Sequence, residues 1–178
     1  MPLIKEGRIA ADLWVSVAED EAVPAHRPAI VGLRRWQAET ATLRARIAPL
    51  GIRLKNNDAV ADIAGDLDRF ELVALEFPKF TDGRAYSQAR LLRERHGFPG
   101  EIRATGQVLR DQFQIMHRCG FDAFQVADAG AAEGWVQALQ EIGVRYQEAA
   151  DGSATVRELR HRAAHSLMWP QAEVTAAW

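Results

Sequence analysis

Between residues 51 and 147 short apolar runs alternate with stretches whose apolar residues recur every three or four positions. Short β-branched and aromatic runs bounded by turn residues mark strands, and a 3.6-residue period marks helices. The alternation therefore predicts βα units and a parallel sheet. The strand segments are 52-IRLK-55, 71-ELVALEF-77, 101-EIRAT-105, 123-AFQVA-127 and 144-VRYQ-147. Between them Val60, Ile63 and Leu67 share one helical face, as do Ala85, Ala89 and Leu92, then Leu109, Phe113 and Met116, then Trp135, Leu139 and Ile142. Four amphipathic helices are expected. Gly97, Gly120 and Gly143 close helical runs at equal spacings of 23 residues. A helix C-terminus needs a left-handed residue there, and glycine supplies it without a Cβ penalty.

The flanks read differently. The runs 13-LWVSV-17 and 29-AIVGL-33 predict two strands, 34-RRWQAETATLRARIAPL-50 a helix, 154-ATVRELRHRAAHSLMW-169 a second helix, and 170-PQAEVTAAW-178 a poorly ordered tail. The expected architecture is one α/β domain over residues 1–178, with flanking strands and a helix in 1–50, a repeated βα core in 51–147 and a C-terminal helix in 154–169. Its sheet is mainly parallel, with about five strands flanked by helices, either compact and doubly wound or a partial β/α barrel.

Composition removes whole classes of function. With 178 residues, 48% hydrophobic and 26% charged, the chain suits one domain with a sizeable core. A net charge of −2 and a pI near 6.2 give no electrostatic footprint for nucleic acid or an anionic membrane. The single cysteine, Cys119, excludes an intramolecular disulfide. The segment MPLIKEGRIAADLW lacks the apolar core of a signal peptide and no run suits a membrane span, so a cytoplasmic location is expected.

Ligands of parallel α/β sheets bind beyond the carboxyl ends of the strands, where helix N-termini present unpaired N–H groups. That rule singles out the loops 56-NND-58, 78-PKFTDGR-84, 105-TGQ-107 and 128-DAGA-131. Lys79, Arg84 and Arg103 at or near these ends form a candidate oxyanion site, with Asp82, Gly106, Asp111 and Gln112 supporting it. The bland alternatives are a turn and helix cap at Asp82, and a structural ion pair between Arg103 and a carboxylate such as Glu76 or Asp111. Cys119 reads as a semi-buried thiol. His161 and His165 have metal-site spacing but no third ligand, so a metal is disfavoured. A dinucleotide fingerprint and a cysteine cluster are both missing, which disfavours NAD and iron–sulfur chemistry. FMN remains compatible, with Phe77, Phe80 and Tyr86 as rings to stack on, the more ordinary alternative being that they pack in the core.

The block FPKFTDGRAYSQARLLRERHGFPGEIRATGQVLRDQFQIMHRCGFDAF, residues 77–124, resembles the signature of a bacterial family of unknown function, with milder similarity at 33-LRRW-36 and 51-GIRL-54. Members of that family are described as probable oxidoreductases or accessory proteins of sulfite reduction, being encoded beside the haem and iron–sulfur subunit of assimilatory sulfite reductase. The resemblance implies an accessory role in sulfur metabolism, with sulfite reductase as partner and a small oxyanion as ligand. The alternative it leaves is a small oxidoreductase or a flavin-binding electron carrier.

Overall fold

The apolar runs become strands of one sheet in the computed structural model, which describes residues 1–5, 7–127, 134, 138 and 145–168. The strands are β1 (Leu3–Lys5), β2 (Arg8–Ala10), β3 (Val15–Ser16), β4 (Ala29–Gly32), β5 (Leu50–Leu54), β6 (Leu72–Phe77), β7 (Glu101–Gly106) and β8 (Ala123–Gln125). Their order across the sheet is β2-β1-β8-β7-β6-β5-β4-β3. From β3 to β8 every neighbouring pair is parallel, while β1 is antiparallel to both β8 and β2. The sheet is thus mixed and larger than the five mainly parallel strands expected from the sequence. β1 and β2 are three residues each, too short for period two to stand out.

The strand order has no reversal, so there is no switch point of the doubly wound kind. Right-handed crossovers then place successive helices on one face. The chain also forces the sheet to curl. β2 and β3 lie at opposite edges, yet only residues 11–14 join them. Seven strand spacings of about 4.8 Å would put the edges of a flat sheet about 34 Å apart. An extended link from Ala10 to Val15 reaches only about 18 Å. The eight strands therefore bend into an open barrel, with residues 11–14 as a strap between its edges.

Alternation along the strands separates two faces. Val31, Ile52, Leu54, Val73, Leu75, Ile102 and Phe124 join the main core with Trp36, Ile63, Ala89 and Met116 from the helical segments. The opposite, concave face carries a second small apolar cluster, Ile30, Leu72 and Ala74, with Trp14 packed against it. The helical layer consists of α1 (Leu33–Arg44), a 3₁₀ segment (Val60–Arg69), α2 (Arg84–Arg90) continuing as a π turn (Leu91–Arg95), and a 3₁₀ turn (Arg110–Gln112) leading into α3 (Phe113–Arg118). α4 (Val156–Met168) follows.

Two further expectations change. The helix predicted over 34–50 ends at Arg44, and Leu50, fully buried, opens β5. Ile47, which continued the helical apolar period, is fully exposed, and Pro49 disfavours helical backbone at Ala48. The strand predicted over 144–147 is absent from the sheet: Arg145 makes an isolated bridge to Thr155, and Val144 lies outside the described residues. The helix carrying Trp135, Leu139 and Ile142, together with Gly143 and the tail over 170–178, also lies outside them. Gly97 and Gly120 do take left-handed backbone, at φ 60° and 101°.

Candidate ligand cavity on the concave face

Strand pairing sets concave-face residues in rows. One row runs Ser16, Ile30, Gly51, Leu72 and Glu101. The next, nearer the carboxyl ends, runs Gly32, Arg53, Ala74, Arg103 and Ala123. Beyond it Glu76 pairs with Thr105. Small residues alternate with long charged ones in the second row, so Arg53 and Arg103 flank Ala74 with their Cα atoms about 10 Å apart, two strand spacings. A cavity of about 250 Å³ opens there, lined by Arg53, Ala74, Glu76, Arg103, Thr105 and Gln125, and on the strap side by Asp12 and Trp14.

Arg103 is the most deeply placed charge, with 2% of its side chain exposed. Its Nε donates to Glu101 Oε1 at 2.8 Å and its Nη1 to Asp12 Oδ2 at 2.8 Å. Glu101 Oε2 in turn accepts from Lys5 Nζ at 2.9 Å, and Asp12 Oδ1 accepts the Trp14 backbone N–H at 3.1 Å. The chain Lys5–Glu101–Arg103–Asp12 holds two positive and two negative charges. It fixes the strap across the mouth and leaves Arg103 Nη2 with no protein partner among the described residues.

Two charged groups of the cavity stand outside that chain. The side chains of Arg53 and Glu76 have neither a hydrogen bond nor an ion pair among the described residues. Arg53 pairs in register with Ala74, two residues before Glu76. The strand spacing and rise place the Arg53 and Glu76 Cα atoms about 8 Å apart on neighbouring strands. A larger hollow of about 320 Å³ lies at the amino end of β7, but its Lys5, Glu101 and Asp122 already hold ion-pair partners.

The residues singled out from the sequence divide between two places. Arg103 faces the concave cavity, and its partners are Asp12 and Glu101, where Glu76 and Asp111 were the expected candidates. Arg84 lies at the start of α2 and forks onto Asp82, with Nε to Oδ1 at 3.0 Å and Nη2 to Oδ2 at 2.6 Å. The Arg84 backbone N–H also donates to Asp82 Oδ1, and Asn56 Nδ2 donates to Oδ2 at 2.5 Å. These bonds, led by the one from the Arg84 side chain, hold the Asp82 carboxyl well below the usual range. Lys79 is exposed in the same loop.

Gln112 Nε2 donates to the Phe80 carbonyl at 2.7 Å, and Gln107 Oε1 accepts the Phe80 N–H at 3.2 Å, so the two glutamines clamp the loop. Gly106 has φ 89°, and a Cβ there would meet the Phe77 carbonyl, so it closes β7 where only glycine fits. Asp111 is exposed and contributes, after burial and Cys119, to pushing the Tyr86 hydroxyl up to about 12. The Phe77 ring is fully buried and set edge-on against Tyr86 at 5.3 Å, leaving Phe80 as the exposed ring of the three. Cys119 is half-buried, and burial pushes its thiol up, away from the nucleophilic thiolate. No group of three metal-ligating side chains exists among the described residues.

Sequence reasoning did not single out Arg53, took Glu76 only as an ion-pair partner for Arg103, and passed over Asp12 and Trp14. For the first two a signal was present: Arg53 interrupts Ile52 and Leu54, and Glu76 interrupts Leu75 and Phe77, each in an otherwise apolar strand. Asp12 lies 91 residues from Arg103, a pairing that no local pattern announces.

No helix among the described residues is long and apolar enough to cross a membrane. Comparison with curated proteins finds no match. A protein-family model does match, over residues 51–157, which span β5 to the start of α4 and hold Arg53, Glu76, Arg103 and Gln125 from the cavity. The chain belongs to that family, a bacterial family of proteins of unknown function, DUF934.

Proposed function

We propose that the protein is an accessory protein of assimilatory sulfite reduction that holds a small ligand in the concave cavity by an oxyanion group. The observation that carries this is Arg53, a guanidinium with no protein partner among the described residues, facing a cavity floored by Ala74. Its planar fork matches a carboxylate or a sulfur oxyanion, and the unused Nη2 of Arg103 offers a second donor across the same floor. Ligand pockets for drug-sized molecules begin at about 300 Å³, so this one suits a ligand of few heavy atoms. The sulfur setting comes from the resemblance of residues 77–124 to proteins encoded beside sulfite reductase, and from the match between guanidinium groups and oxyanions. The carboxyl-end loop with Lys79 and Arg84 is the competing anion site, but Arg84 already spends its fork on Asp82.

Isothermal titration with sulfite and sulfate separates the two sites. Charge-assisted bonds are worth about 1.5–3 kcal/mol each, so Arg53→Ala should weaken binding tenfold or more. Arg84→Ala should leave it unchanged. Equal affinity in Arg53→Ala and the wild type, or no binding by the wild type, would contradict the assignment.

A further inference from the structure

Resting on that assignment of the cavity, charge counting narrows the ligand class. The two positive charges of Lys5 and Arg103 are met by those of Glu101 and Asp12. What remains facing the cavity is one cation, Arg53, and one anion, Glu76, each without a partner among the described residues. No ion pair joins them, although their Cα atoms are about 8 Å apart. A simple oxyanion would satisfy Arg53 and leave its own charge facing the Glu76 carboxylate.

We infer that the ligand is a small zwitterion, whose oxyanion group is held by Arg53 and whose ammonium group is held by Glu76. Thr105 pairs with Glu76 across the strands, and its hydroxyl donates to the Leu75 carbonyl at 3.2 Å, so its oxygen keeps lone pairs for a further N–H donor. Gln125 lines the same wall, with an amide that can accept from an ammonium or donate to an oxyanion. The ligand class is that of amino acids and aminosulfonates of a few carbons.

Matched probes test this by calorimetry on the full chain: taurine against ethanesulfonate, and alanine against propionate, each pair differing by the ammonium group. The wild type should bind the zwitterion of each pair about tenfold more tightly, the value of one charge-assisted bond. Glu76→Gln should abolish that preference while ethanesulfonate binds as well as before or better. Glu76→Asp, which keeps the charge, should retain part of the preference and guards against a folding defect in the glutamine variant.

Equal binding within each pair by the wild type, or a preference that survives Glu76→Gln, would overturn the zwitterion inference. In that case ethanesulfonate binding that is lost in Arg53→Ala would leave the cavity assignment standing. Failure of the folded wild type to bind any of the four probes would overturn both.

Discussion

A charged side chain on a strand otherwise made of apolar residues needs a partner, because an isolated buried charge is too costly to keep. Arg103 shows one solution, two carboxylates at 2.8 Å on separate nitrogens. Arg53 and Glu76 show the other, a side chain turned toward a cavity, where water or a ligand completes it. The sequence marks all three as interruptions of apolar strands, but it does not say which carboxylate belongs to which guanidinium. Asp82 is the reverse case, legible as a turn residue before a helix and found holding the Arg84 N–H and side chain. Because its carboxyl is held below the ordinary value near 4, its contribution to stability is fully present above that value and is lost as pH falls below it. Thermal unfolding of the wild type and Asp82→Asn should differ by a constant margin from neutral pH down to about 4 and converge in stronger acid. A margin that grows on acidification would contradict this account of the loop.

At the scale of elements, the strap over residues 11–14 is the least legible piece and the one that makes the cavity. It has no periodicity to read, and it takes its place through long-range bonds, Asp12 to Arg103 and Trp14 against Ile30, Leu72 and Ala74. The helices were read from spacing and were mostly found, though as mixtures of α, 3₁₀ and π turns. Short tight connections between parallel strands leave little room for regular α-helix, which periodicity alone does not reveal. Asp12→Ala should remove one of the two carboxylates on Arg103, lowering stability in urea unfolding by about 1.5–3 kcal/mol. Asp12→Asn, which keeps an acceptor for Arg103, should cost less. A loss within experimental error for Asp12→Ala would mean that Glu101 alone suffices to hold Arg103 and that the strap is secured elsewhere.

The whole molecule is an open barrel because its parallel strands follow one another in chain order while four residues tie the far edges together. The βα alternation and the glycines at helix ends were visible in the sequence, since both are local. Strand order and curl are not local: they follow from which neighbour each strand chooses and from the length of the link between β2 and β3. For the same reason Lys79, Arg84 and Arg103 looked like one group when read as ends of successive βα units. In the folded chain Arg103 points to the concave side, while Arg84 stays with Asp82 at the carboxyl-end loop. The central claim, a ligand site inside the curl, is tested most directly by titrating ¹⁵N-labelled protein with taurine and mapping the amide and indole shifts. The account predicts saturable changes at Arg53, Ala74, Glu76 and Thr105 and at the Trp14 indole. Shifts confined to residues 78–84, or no saturable shift, would contradict it.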